Sequence, residues 1–268
     1  IRSALSNIKD FPNIFVVDNA SEDNTCQIIE AQFPHVKLIK SPMNIGFGRG
    51  NNLALEQITT EYALLLNPDS IIKEKDIEAL ITIAEKYDNA AIIAPILKGE
   101  DGSIHATYKN NIFVREKYNA SFVIPDGDLC ADFLSGAVLL LKMSYFKQIG
   151  FFDPRIFLFY EDDDLALRVR KAGYSLVLTT QAEAMHLVGK SSPSSEKIIS
   201  LKNWHMAWSR IYIESKYFGA RSAKKMAIKI FLQALLKSFV YYFTNRDKYI
   251  KYEAQYSAAL QYLFDKTS

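Results

Sequence analysis

Four short apolar runs structure the first hundred residues, and each ends at a polar break that leads towards a segment with helical spacing. The first, Asn13 to Val17, is β-branched and bounded by Pro12 and by Asp18-Asn19. Val36 to Ile39 is the second, Tyr62 to Leu66 the third, stopped by Asn67-Pro68-Asp69, and Ala90 to Ala94 the fourth. Between them, Ser21 to Glu30 places capping residues ahead of helical apolar spacing, and Asn51 to Ile58 and Ile77 to Tyr87 read as further helices. Strands alternating with helices predict a parallel α/β sheet, which binds ligands outside the carboxyl ends of its strands. Asp18 and Asp69 both fall at such ends.

Periodicity weakens from Leu97 to Asp128, which reads as irregular chain or an antiparallel insertion. Strand character returns from Phe133 to Met143 around Ser135-Gly136. A helix is predicted from Asp163 to Ala172 with Gly173 as its stop, then a strand from Tyr174 to Leu178. From Lys197 the chain is helical and basic. Residues 197–268 hold 13 Lys/Arg against 4 Asp/Glu, a net of +9, which leaves 19 against 26, or −7, for residues 1–196. The sequence thus divides into an α/β domain over 1–196 and a basic helical region over 197–268. The basic region contains no recognised nucleic-acid module, so no nucleic-acid partner is expected.

An apolar content of 49% in 268 residues allows a large core. Cys26 and Cys130 lack the spacing of a metal or redox pair and point to a reducing, cytoplasmic setting. No stretch reaches the roughly 20 apolar residues needed to span a bilayer, and no signal peptide precedes Ile1. The chain opens on Ile rather than Met, as a fragment or processed form would.

Chemistry concentrates in Phe157-Leu-Phe-Tyr-Glu-Asp-Asp-Asp-Leu165, where four adjacent carboxylates repel one another unless a cation, a helix N-terminus or a catalytic task holds them. Capping a helix needs one carboxylate, not four. Asn67-Pro-Asp69 reads on its own as a turn ending a strand. The loop Asn44 to Asn52 has Gly46-x-Gly48-x-Gly50, which lacks the dinucleotide spacing and argues against a nicotinamide enzyme. Its glycines would let backbone approach a nucleotide, with Arg49 as a diphosphate partner, although turn chemistry explains them equally well. Asp18, at its strand end, is placed to accept hydrogen bonds from a base or ribose. Trp204 and Trp208, at helical spacing, read as core.

Six motifs resemble, in order and spacing, the family 2 inverting glycosyltransferases. They are Val17-Asp-Asn-Ala-Ser21, Asn44-Ile-Gly-Phe-Gly-Arg-Gly-Asn-Asn52, Leu65-Leu-Asn-Pro-Asp69, Ser135-Gly-Ala137, Gly150-Phe-Phe-Asp153 and Tyr160-Glu-Asp162. Within the family they look most like bacterial rhamnosyltransferases of O-antigen and other surface-polysaccharide synthesis, over about residues 5–195. The resemblance implies a GT-A fold, a Rossmann-like mixed sheet flanked by helices, here with a helical C-terminal extension. It also implies a nucleotide-sugar donor, a glycan or lipid-linked acceptor, and a divalent cation, Mg²⁺ or Mn²⁺, under the diphosphate. The donor is read as dTDP-rhamnose, with hexose, N-acetylhexosamine and galactofuranose donors left open. By the same resemblance Asp162 is the general base, with Glu161 orienting it or the acceptor. Asp69 and His186 are metal ligands and Asn67 a neutral helper. Asn44, Gly46, Asp132, Ser135 and Gly136 line the donor and acceptor pockets, and Gly189 to Ser191 form a loop able to approach phosphate. The family's usual first strand is absent, because Ile1 aligns with the first helix, which predicts an unfilled sheet position. A catalytically impaired nucleotide-sugar binding or scaffold protein is the alternative function.

In the tail, Arg221, Lys225, Lys229, Gln233 and Lys237 recur every four positions among apolar residues up to Phe243. Such a helix suits the surface of an anionic bilayer, at about 1 kcal/mol per lysine. That would make the protein peripheral on the inner face of the cytoplasmic membrane. The same broad apolar face suits packing on the catalytic domain or in a homodimer.

Overall fold

The computed structural model describes residues 1–109, 124–187 and 195–264. It forms two compact units, one of Ile1–Asp153 with Asp162–Ser191 and one of Pro154–Glu161 with Ser192–Ser268. The sequence pattern, which changes near residue 196, does not mark the transfer of Pro154–Glu161 to the second unit.

The first unit opens with α1 (Arg2–Ile8), β1 (Phe15–Asp18), α2 (Thr25–Gln32), β2 (Lys37–Lys40), α3 (Phe47–Leu55) and β3 (Tyr62–Leu66). It continues through β4 (Ser70–Ile72), α4 (Glu74–Lys86), β5 (Ala90–Lys98), β6 (Tyr108–Lys109), β7 (Leu129–Ala131) and β8 (Phe133–Leu134). It ends with β9 (Val138–Lys142), α5 (Met143–Ile149), α6 (Glu161–Lys171, whose first residue belongs to the second unit) and β10 (Ser175–His186). The main sheet has the order β3-β9-β5-β10-β4, with β7 also on β10, while β1 and β2 form a separate parallel pair and β6 pairs with β8.

The sheet is mixed, as the family resemblance implies, and not wholly parallel as the alternation of strands and helices alone suggests. β5 and β10 are parallel, but β9 runs antiparallel to β3 and β5, and β4 and β7 antiparallel to β10. Among the described residues no helix lies between β5 and β9, and without a helical crossover nothing obliges β9 to run parallel. The single strand predicted from Phe133 to Met143 is two strands separated by a bend at Ser135 to Ala137, and Met143 already begins α5.

Both faces of the main sheet are covered, which explains the continuous apolar runs. Along β9, Leu139 and Leu141 face a cluster with Phe146, Leu165 and Val169 of α5 and α6. Val138 and Leu140 face Ile77, Leu80 and Ile83 of α4. β1 and β2 rest on their own cluster with Leu5, Ile29 and Phe33. Among the described residues β1 pairs only with β2 and β3 only with β9, so each keeps one open edge.

Two features of β10 and α6 position side chains. β10 is irregular between Leu178 and Glu183, where five residues of advance on β10 oppose two on β5. The Glu183 N–H donates to buried Asp76 within that stretch (3.1 Å), and the strand beyond it sets His186 opposite Ser70. On α6, Asp164 is fully buried and accepts from Arg168 Nε at 2.8 Å. The same guanidinium donates to the carbonyls of Ile149, Gly150 and Phe151, tying α6 to the end of α5.

Because removing one member of a buried pair strands the other charge, Arg168→Ala is expected to cost about 3–5 kcal/mol in denaturant unfolding. The double change Asp164→Leu/Arg168→Leu should recover much of that loss. A loss below about 1 kcal/mol for the single variant would show that the pair is solvated.

The second unit contains α7 (Glu196–Phe218), α8 (Ala220–Tyr242) and α9 (Arg246–Phe264). They pack through Ile211, Ala223, Ala227, Ala259 and Tyr262. No helix among the described residues is long and apolar enough to cross a membrane.

Candidate active site

A cavity of about 1060 Å³ runs along β1 and β3 beside α1, and where the two strands end it gathers Asp18, Asn19, Gly46, Phe47, Asn67 and Asp69. Asp18 is buried, with Oδ1 lacking a hydrogen-bond partner and Oδ2 taking a long bond from the Ser21 N–H (3.4 Å). An orphaned carboxylate oxygen in a cavity is poised for a donor from a ligand. Asn19 braces the opposite wall. Its Nδ2 donates to Asn44 Oδ1 (3.0 Å) and to the Gly46 carbonyl (3.1 Å), and its Oδ1 accepts from the Ile45 N–H (2.8 Å). Gly46 holds φ at 89° immediately before α3, a conformation that favours glycine. Asn44 therefore shapes the loop without lining the cavity, and Arg49 is exposed on α3 and does not line it either.

At the end of β3, the Ser70 N–H donates to the Asn67 carbonyl (2.9 Å), closing a turn over Pro68-Asp69. The Leu187 N–H donates to the Asp69 carbonyl (2.8 Å), and His186 Nε2 lies 3.5 Å from Asp69 Oδ1. Two ligands about 2.1 Å from one octahedral cation lie roughly 3 Å apart, so this carboxylate and imidazole fit a shared Mg²⁺ or Mn²⁺. Among the described residues no three His, Cys, Asp or Glu side chains cluster to hold a metal. The remaining ligands would be substrate oxygens and water. His105, which carries no sequence signal, sets its ring edge-on to His186 at 6.2 Å. The loop Gly189 to Ser191 lies outside the described residues.

Asp162, in the first turn of α6, is part-buried. Its Oδ2 accepts from the Gly136 N–H (3.4 Å) and its Oδ1 from the Asp163 N–H (3.0 Å). The neighbouring Ala137 carbonyl accepts from the Asn67 N–H (3.0 Å), so one short stretch of backbone joins the acid to the cavity wall. The Cβ position at Gly136 would meet Phe47 at 3.9 Å, placing Phe47 between the cavity and this corner. Ser135 is fixed by its N–H to the Thr107 carbonyl (2.8 Å).

Burial drives the Asp162 carboxyl up to about 6, the charge of Asp163 adds to the rise, and Lys109 opposes it. Asp163 is raised by burial too, and there Lys109 acts directly, with Nζ 3.0 Å from its carboxylate. Lys109, 54 positions away in sequence, was not anticipated. Three of the four carboxylates have distinct partners: Asp164 holds Arg168, Asp163 holds Lys109, and Asp162 meets only backbone donors among the bonds seen. Glu161 is buried at the first position of α6. Just before it, Phe159 and Tyr160 adopt φ of 65° and 68°, a costly conformation for bulky residues that fixes how the chain enters the helix. Asp132 forms an ion pair with Arg170 and does not line the cavity.

Residues 1–150 match the family described as Glycosyl transferase family 2. The chain belongs to that family. It is 26% identical over 202 residues to the N-acetylglucosaminyl-diphospho-decaprenol L-rhamnosyltransferase of Mycobacterium tuberculosis (strain H37Rv), a match spanning 65% of this chain and 66% of the relative. It is 27% identical over 189 residues to rhamnosyltransferase WbbL of Escherichia coli K12, covering 64% of this chain and 71% of the relative. Among solved structures it resembles S. aureus TarS 1–349 in complex with UDP, with a TM-score of 0.52 and 16% identity over 98% of this chain and 87% of that one. It also resembles the mannosyltransferase PcManGT of Pyrobaculum calidifontis in complex with GDP-Man and Mn²⁺, with a TM-score of 0.54 and 14% identity over 99% and 84%. The family 2 chain thus has the GT-A fold expected from its motifs.

The raised acid carries a pH signature. An acid whose folded value of about 6 exceeds its ordinary 3.8 stabilises the fold fully only below about pH 4, and that contribution is lost as pH rises through about 6. Asp162→Asn, which cannot titrate, should gain on the wild type between about pH 4 and pH 7, read as the difference in denaturant midpoint. A difference constant across that range would show that the carboxyl is not raised.

Proposed function

We propose that this chain is a metal-dependent inverting glycosyltransferase acting in bacterial cell-surface polysaccharide synthesis. It moves rhamnose from dTDP-rhamnose to a glycan or lipid-linked acceptor on the cytoplasmic side of the membrane. Family membership and the two rhamnosyltransferase relatives support the reaction class and the sugar. The observation that carries the reading is Asp162: a carboxyl raised to about 6, held by the Gly136 N–H and linked through Ala137 and Asn67 to the cavity that contains Asp69.

In this reading the base and ribose of the donor lie against Asp18, whose orphaned oxygen takes a donor from them. The braced Asn19–Asn44–Gly46 loop brings backbone close to the nucleotide, and Asn67 and Ser135 border the sugar. Asp69 and His186 would hold the divalent cation, which when bound offsets the charge of the departing diphosphate. Asp162 accepts the proton of the acceptor hydroxyl as that oxygen attacks the anomeric carbon opposite the leaving group. A base with a value near 6 is mostly ionised at neutral pH yet basic enough to draw the proton. Glu161 orients the acceptor, Arg49 meets the diphosphate only if its exposed side chain turns inward, and Asp132 acts through its pairing with Arg170.

Asp162→Asn is expected to keep donor affinity within a few-fold while lowering turnover by about 10²-fold or more. Turnover of the wild type should rise with pH through about 6 and then level, following ionisation of Asp162. Activity of the variant within a few-fold of wild type would remove Asp162 from the mechanism.

Calorimetric titration with dTDP-rhamnose and with UDP- and GDP-sugars, each with Mg²⁺ or Mn²⁺ and again with chelator, tests donor and metal together. Binding should need the cation and vanish in Asp69→Ala. Full affinity in chelator would overturn the metal assignment, and tight binding without turnover would favour the scaffold alternative.

A further inference from the structure

α8 is packed the opposite way from a helix of a water-soluble bundle. Its buried positions are small, with Ala223 and Ala227 fully buried and Ala234 and Ser238 nearly so; Met226, Ile230 and Phe231 pack partly on the bundle, but most of its other large apolar side chains are exposed. Leu236 is 68% exposed, Phe239 71% and Phe243, just past the helix end, 76%, and Leu232, Leu235 and Val240 are exposed beside them. Burying alanines against α7 and α9 while leaving leucines and phenylalanines uncovered is unfavourable in water alone.

The exposed surface is also ordered along the helix axis. Arg221, Lys224, Lys225 and Lys229 occupy the first half with exposed Ile228 beside them, most of the exposed large apolar residues occupy the second, where Lys237 is the one charged residue, and α8 contains no Asp or Glu. The apolar half borders an open groove of about 450 Å³ that continues to Tyr242 and Tyr249. The helix cannot cross a bilayer.

We propose that this face of α8 is a membrane-docking surface, seating its apolar half among acyl chains and its cationic half against the anionic headgroups of a bilayer. The charge decides between occupants. A second copy would bring the same cations against one another or against apolar surface, whereas anionic lipid meets both halves of the face. The inference does not depend on the donor, the metal or the reaction.

Co-sedimentation of the full chain with phosphatidylcholine vesicles, with and without phosphatidylglycerol, tests it at low and at physiological salt. Binding is expected with the anionic vesicles, weaker at higher salt, and about tenfold weaker without anionic lipid. Leu236→Asp/Phe239→Asp and, separately, Lys224→Glu/Lys225→Glu should each reduce binding by about tenfold or more. Lys75→Glu, a charge reversal at an exposed position of α4, should leave it unchanged. All the changed positions are exposed, and circular dichroism verifies the folds. Absence of wild-type binding, binding indifferent to anionic lipid, or binding that survives both α8 variants would overturn the proposal. So would a dimer seen by sedimentation equilibrium that Phe239→Asp dissociates while vesicles recover no protein; the face would then join two copies.

Discussion

The contact between Asp164 and Arg168 fixes the geometry of the acidic corner. A carboxylate without solvent exposure is tolerated only with its countercharge in place, and Arg168 supplies it from one turn further along the same helix. The remaining donors of the fork reach three successive carbonyls at the end of α5, from Ile149 to Phe151. Helix orientation is therefore set by a planar group that a lysine could not replace, because only a guanidinium presents donors in several directions at once. With α6 fastened, Asp162 lies between the Gly136 and Asp163 amides, one to each carboxylate oxygen.

Beside that anchor, the distribution of charge determines protonation. Lys109 is a single cation facing two raised carboxylates, and its direct contact is with Asp163. Asp163 keeps the cation occupied and its own negative charge helps raise Asp162.

Much of this was legible in the sequence. The strands of β1, β2, β3 and β5 and the acids at their ends follow from apolar runs cut by Asp and Asn, a local signal. What was not legible depends on distant partners. Nothing in Thr179-Thr-Gln-Ala-Glu-Ala-Met185 announces an irregular strand braced by Asp76 more than a hundred positions earlier, yet that brace carries His186 to Asp69. Lys109 and Arg170 carry no local signal, and only the fold brings each to an aspartate. Phe159 and Tyr160 are not residues that favour a left-handed backbone, so their conformation is imposed by the surroundings. Asn19, conspicuous only as part of a motif, proved more central to the cavity than Arg49.

The cavity's walls include the open edges of β1 and β3, whose residues line it from Phe15 to Asp18 and from Tyr62 to Leu66. Unpaired strand edges present rows of amide and carbonyl groups that template pairing with any extended chain. A ligand lodged here would therefore do more than react. It would also cover backbone groups that are otherwise open to pairing.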